Sequence, residues 1–244
     1  MKRVGLRLKF AVLFILVVTV ALGAAGLWSA LSQQKQAEKE MLEKAQVLAQ
    51  EMDAVWTFFE TNQHQFKTDE RGNYELYCVV AAKSVSKFFT AETDYTIHYT
   101  NVTTRRQSDA PDEFEAAALD AFLADPTLEE YYGIADYEKT GTRVFRYLQP
   151  LHMGESCLEC HGEPAGELDS FGYPKEGKHE GDIAGAVSIV MPIDLYLEDI
   201  KGNIASSVFF YSCVLVMGFA VILFGVSRLV TKPLGKLEEA TGRI

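Results

Sequence analysis

Cys157-Leu158-Glu159-Cys160-His161 is the stretch of this sequence best suited to chemistry. Two thiols separated by two residues, with an imidazole immediately after, make the CxxCH signature of c-type haem attachment. The spacing has a chemical reason. Two cysteines three positions apart reach the two vinyl groups on one porphyrin edge, and the adjacent histidine is held beneath the iron as an axial ligand. We therefore expect one covalent haem c on Cys157 and Cys160, with His161 as the proximal iron ligand. Two other chemistries compete. The thiols could form half of a tetrahedral zinc site, completed by Cys78 and one of His152, His161 or His179. They could also form a redox disulfide. No second CxxC or HxxxH pair supports zinc, and no thioredoxin-like βαβ pattern surrounds the thiols.

The opposite haem face needs a second ligand or a vacancy. Cys78, His98, His152, Met153, His64 and His179 are the candidates, and their residue types alone leave them unranked. His152 and Met153 lie close to the motif in sequence. Cys78 sits in an apolar stretch (LYCVVAAKSV), where a cysteine also serves as a small buried hydrophobe. Cys213 lies inside an apolar run and reads as membrane-buried. Arg106 and Arg146, with Arg105 and Arg143 beside them, suit haem propionates because a guanidinium pairs well with a planar carboxylate. Each of them also reads as ordinary surface charge.

These residues need elements to position them. The chain has 244 residues, a formal charge of −11, 48% hydrophobic residues and 23% charged residues. That composition supports a real core and excludes a disordered chain, a collagen-like repeat and a disulfide-dense mini-protein. The acid excess argues against nucleic acid as a partner. The average conceals an asymmetry. Phe10–Leu31 and Ile204–Val226 carry no charge and run for 22 and 23 residues. At ~1.5 Å per residue each spans roughly 33–35 Å, enough for a bilayer core. Lys2, Arg3, Arg7 and Lys9 precede the first run, and Arg228, Lys232, Lys236 and Arg243 follow the second. The positive-inside tendency places both termini in the cytoplasm. Between the runs stand 15 Lys and Arg against 32 Asp and Glu, so this acidic segment lies outside. Gly23-Ala24-Ala25 resembles a signal-peptidase site, but the first run is long for a signal sequence and a helical pattern continues out of it. We expect a retained helix.

Met41, Ala45, Leu48, Met52, Val55 and Phe59 form a heptad seam on a helix predicted over 34–66. The seam suits either packing on its own domain or a parallel homodimer stalk. Thr68–Asn73 is a polar break, and 74–91 is predicted as a helix bearing Cys78. Asp94–Val102 alternates like a strand. Pro111 opens a helix that Asp125-Pro126 ends. Thr142–Met153 is predicted as one or two strands, 162–182 as a glycine-rich loop, and Ile183–Met191 as a buried strand stopped by Pro192. The expected fold is α+β, a PAS-like extracytoplasmic domain with a long N-terminal helix, between two transmembrane helices. The expected segments are 1–9 cytoplasmic, 10–31 transmembrane, 32–66 stalk, 67–203 sensor domain, 204–226 transmembrane and 227–244 cytoplasmic relay.

The stretch from about Asp53 to Asp194 resembles a bacterial family of periplasmic PAS-like haem-c sensor domains that includes a cyanobacterial monohaem cytochrome. The matching pieces are Asp53-Ala54-Val55-Trp56, Leu76-Tyr77-Cys78-Val79-Val80-Ala81, Arg106 with Asp109-Ala110-Pro111-Asp112-Glu113-Phe114-Glu115, Leu148-Gln149-Pro150-Leu151, Cys157 to Gly162, and Gly181-Asp182-Ile183-Ala184-Gly185-Ala186. The resemblance implies a PAS-like fold and a cysteine thiolate opposite the CxxCH histidine, which falls on Cys78. Gln107-Ser108 stand where the family pattern has Asn-Pro. Residues 227–244 resemble the opening of a HAMP relay domain, with Pro233 and Glu238 at matching positions; a basic amphipathic helix on the membrane surface also fits them. Together these imply a bacterial inner-membrane sensor of redox state or a small gas, homodimeric and coupled to a histidine kinase or a separate output protein. The alternative is a membrane-anchored electron-transfer cytochrome, whose acidic face would select basic partners. No hydrolytic triad, P-loop or dinucleotide fingerprint is present.

Overall fold

The computed structural model describes residues 6–66, 76–225, 227, 228 and 233. The polar break at 68–73 and most of the HAMP-like segment 227–244 lie outside the described residues. Helix α1 (Leu6–Thr61) carries the first apolar run and continues unbroken through the heptad seam. Helix α5 (Asp194–Gly225) carries the second. Both are long and apolar enough to cross a membrane. Residues Glu38–Asp194 form one compact unit.

That unit is α+β. Strands β1 (Thr96–Thr100), β2 (Tyr131–Tyr137), β3 (Thr142–His152) and β4 (Ile183–Pro192) form an antiparallel sheet in the order β1-β4-β3-β2. Helix α2 (Cys78–Glu92) precedes β1, and α3 (Glu113–Ala124) lies between β1 and β2. A single turn, α4 (Leu158–His161), holds the end of the CxxCH motif.

Alternation along β3 sorts its side chains onto two faces. Val144, Arg146 and Leu148 face α3, where Leu148 packs with Ala118, Leu119, Phe122 and Ala186. Phe145 and Tyr147 point the other way and are equally buried. On that second face Trp56 of α1 packs against Tyr99 of β1, with ring centroids 6.1 Å apart. Gln46 of α1 donates to Glu130, just before β2. Helix α3 starts where sequence chemistry places it. Asp112 caps it by accepting from the Glu115 backbone N–H, and the Glu115 carboxylate accepts from the Asp112 N–H in return. Such a capping box satisfies two donors that a helix start would otherwise leave open.

Most of the segment read as a stalk, from Glu38 on, falls in the same compact unit as the expected sensor domain. Met41, Ala45, Ala49 and Met52 are all buried within Glu38–Asp194. Of the predicted seam, Met41, Ala45 and Met52 are buried, whereas Leu48, Val55 and Phe59 are only half-buried. Strand β2 carries little strand signal in its residues. Its Gly133 and Asp136 weaken strand propensity, and it is legible only through its register with β3, from Tyr131↔Leu148 to Tyr137↔Thr142. Helix α2 starts at Cys78 rather than at 74, with Tyr77 in an extended conformation as its cap.

Candidate functional site

The CxxCH residues occupy a 3-10 turn (Glu155–Cys157) that runs directly into α4. A helical turn places residues three and four apart on one face, so Cys157, Cys160 and His161 point to a common side. Both thiols are free and half-buried. Gly162 follows because nothing larger fits there. A Cβ at this position would stand 2.5 Å from the Leu158 carbonyl oxygen, which accepts the Gly162 N–H.

Cys78 is brought to this turn from 79 positions earlier in sequence. It is the first residue of α2 and is 7% exposed. Its thiol is pushed up to about 12, mainly by burial and then by the influence of Cys157 and Glu60, which puts both within electrostatic reach. Glu60 reaches the turn from α1, where its Oε1 accepts a 2.6 Å hydrogen bond from Ser156. Burial also raises the thiols of Cys157 and Cys160. A buried thiol surrounded by acids stays protonated unless a cation offsets the charge.

His161 is oriented by a carboxylate. Its Nδ1 lies 2.7 Å from Glu176 Oε2. Arg105 braces Glu176 through Nε at 3.1 Å, reaches Asp169 Oδ2 at 2.7 Å, and donates to the Cys160 carbonyl at 2.8 Å. Burial works to raise the Glu176 carboxyl, but hydrogen bonds from Arg105 and His161 bring it below its ordinary value. The same balance, with two backbone N–H groups and Arg105 prevailing over burial, lowers Asp169.

The other expected residues separate clearly. Arg146 does not reach the motif. It is 1% exposed, stands on the α3 face, and is committed to Asp112 Oδ2 at 2.8 Å and Glu115 Oε1 at 3.2 Å. It is a buried structural cation, so the propionate role expected for it is withdrawn. Arg106 is exposed, and its neighbour Arg105 is the arginine beside CxxCH. His98 is on the α3 side too, with Nδ1 against Glu115 and Nε2 against the Ser108 carbonyl. His152 is exposed and its Nδ1 bonds the Gly181 carbonyl. Met153 is buried and its backbone bonds Asp182 and Gly181. His64 and His179 are exposed.

No cluster of three or more metal-ligating side chains exists among the described residues, so the zinc geometry lacks support there. A haem c asks for less: two thiols on one face, one histidine with a free nitrogen, and a ligand on the far side. Cys157, Cys160 and His161 suit the first two by residue type and spacing, and Cys78, a buried thiol within electrostatic reach of Cys157, could supply the third. Two aromatic pairs flank these elements in sequence. Tyr77, adjacent to Cys78, meets Phe171 of the glycine-rich loop edge-on at 5.3 Å, and Phe59 stacks on Phe66 at 5.3 Å.

Fold and site together define an α+β domain built on a long N-terminal helix, with a CxxCH turn backed by a helix-borne cysteine. The chain belongs to the Tll0287-like family, whose model matches residues 34–192. A solved structure described as the crystal structure of the cyanobacterial heme-protein Tll0287 is similar in fold, with a TM-score of 0.50 and 16% identity. The likeness covers 63% of this chain and 95% of that one. A comparison with curated proteins gave no match.

Proposed function

We propose that this chain is a two-pass membrane sensor whose outside domain carries one haem c, attached covalently at Cys157 and Cys160. His161 and Cys78 would hold its iron. The observation that carries this reading is the CxxCH turn itself, with two half-buried free thiols and a histidine held by Glu176, while Cys78 lies buried at the start of α2 within electrostatic reach of Cys157. Membership of a family that includes a haem protein supports it. When bound, the group supplies one-electron iron chemistry and an iron–thiolate bond sensitive to redox state or to a small gas.

The chain's own residues supply the relay. Cys78 anchors the first turn of α2, and Thr90 on the same helix accepts the Ile97 N–H of β1. Strand β1 pairs with β4 from Thr96↔Val190 to Thr100↔Ala186. Strand β4 ends at Pro192, and α5 begins at Asp194. Release of Cys78 would bias this series of elements between two packings. The output lies beyond α5, in a HAMP-like segment coupled to a histidine kinase or another signalling protein. The sensor would operate as a homodimer in the bacterial inner membrane.

The test is to produce the full chain in a host with haem-c maturation and measure intact mass and visible spectrum after denaturation. One retained haem is expected, and Cys78→Ala should change the spectrum of the folded protein. A chain that gains no haem refutes the reading. A haem spectrum indifferent to Cys78→Ala refutes the ligand assignment.

A further inference from the structure

We propose that Glu176 is the positioning residue for His161, and that Arg105 and Asp169 exist to hold Glu176 in that role. The inference rests on the haem reading above. A metal-binding imidazole offers the lone pair of one nitrogen, and its orientation is set by the hydrogen bond at the other. Here the second nitrogen is occupied. Glu176 Oε2 stands 2.7 Å from His161 Nδ1, and no described residue bonds Nε2. The carboxylate therefore keeps the proton on Nδ1 and presents Nε2 to the haem side.

Glu176 is itself fixed. Arg105 donates from Nε to Oε1 at 3.1 Å and from an Nη to Oε2 at 3.2 Å, so the carboxylate is held at both oxygens. Arg105 is fixed in turn by Asp169, whose side chain is 0% exposed and lies 2.7 Å from the other Nη. Asp169 Oδ1 accepts from the backbone N–H groups of Phe171 and Tyr173, both at 2.9 Å. The Arg105 guanidinium also lies over the Tyr173 ring at 5.4 Å. Arg105 donates to the Cys160 carbonyl, and Lys178 N–H donates to the His161 carbonyl, each at 2.8 Å. The motif's last turn is thus held from the glycine-rich loop and from the segment after β1.

The charge balance gives the function. One guanidinium faces two carboxylates, so a net negative charge stands behind His161. A carboxylate on the distant nitrogen makes an imidazole a stronger donor, which favours the more positive state of a bound iron. A loop-stapling ion pair would hold the turn without setting a potential, and this separates the two roles.

The experiment compares full-length wild type, Glu176→Gln and Glu176→Asp in lipid bilayers after haem-c maturation, by spectroelectrochemical titration. Glutamine keeps the shape and the hydrogen-bonding capacity but removes the charge. At a fixed potential its ferric-to-ferrous ratio should fall at least tenfold, which is about 59 mV for a one-electron couple. Aspartate should recover part of the shift. A loaded Glu176→Gln protein within twofold of wild type overturns the inference and leaves the haem reading standing. If the variant does not load, 15N-edited NMR of reduced wild type decides. A His161 Nδ1–H in the low-field range of a charge-assisted bond supports the inference, and an ordinary imidazole shift overturns it. A wild type without covalent haem overturns both the haem reading and this one.

Discussion

Replacing Arg146 by methionine should cost this domain a large part of its stability without touching the CxxCH turn. The Arg146 guanidinium is 1% exposed and makes contacts of 2.8 Å to Asp112 and 3.2 Å to Glu115. It lies between two rings, 5.0 Å from the centre of Phe114 and 5.3 Å from that of Tyr137. Methionine preserves much of the apolar stem and removes the charge. Glu115, whose side chain is 4% exposed, then loses one of its two cationic partners in a site that water does not reach. Breaking a buried pair in this way costs ~3–5 kcal/mol, because the surviving charge stays desolvated. For a unit of this size each kcal/mol moves Tm by ~2–4 °C, so Tm should fall by roughly 6–20 °C. Thermal unfolding of the full chain in bilayers, followed by near-ultraviolet circular dichroism, reads this directly. Adding Glu115→Gln to Arg146→Met should give a protein more stable than the sum of the single losses implies, by about 1–3 kcal/mol. Haem content per folded molecule should match wild type, since Arg146 and the CxxCH turn share no contact. A Tm within 2 °C of wild type would refute the burial argument. Normal stability with defective haem loading would restore the propionate role.

Three further outcomes are expected. Gly162→Ala should destabilise the domain by ~1–3 kcal/mol and reduce haem attachment, because the new Cβ would meet the Leu158 carbonyl at 2.5 Å; the melting curve and haem content check this. The His98–Glu115 pair should give stability an alkaline and an acid limb. Its hydrogen bond to Glu115, working against burial, raises His98 above 6.5, so its contribution is complete below that value and is lost as pH rises through the raised one. Burial works to raise Glu115, but its hydrogen bonds, His98 foremost, bring it below 4.5; its contribution is present above 4.5 and is lost as pH falls through the lowered value. A pH series of melting curves should lose its alkaline limb in His98→Asn, and an unchanged limb would contradict the assignment. Finally, if residues 32–203 lie outside, as the positive-inside tendency predicts, an alkaline phosphatase reporter inserted after Thr127 should be active and one at the N-terminus inactive. The reverse pattern would invert the topology.

Some features of this protein were legible in the residues alone. The two apolar runs announce themselves through length and charge, because a bilayer core admits few alternatives to an uncharged helix. The CxxCH spacing is a local feature, and the pitch of one helical turn is enough to bring its two thiols and imidazole to one side. Pro111, Asp112 and Glu115 mark the start of α3 within two residues, since capping is local chemistry. Other features were decided only by the tertiary structure. The heptad seam suited a partner helix and its own domain equally, and only the structure shows that Met41, Ala45 and Met52 are buried while Leu48, Val55 and Phe59 stay half-buried. Arg105, Arg106, Arg143 and Arg146 were indistinguishable as types. Strand alternation carried Arg146 to the α3 face, while the loop after β1 delivered Arg105 to the motif. Glu176 and Asp169 carry no signal in a glycine-rich loop, because their role depends on an arginine more than 60 positions away. Cys78 had a family resemblance in its favour but no local reason to outrank His98 or His152. Sequence fixes what a short segment can do by itself, whereas pairing between distant segments depends on which faces the sheet and helices bury together.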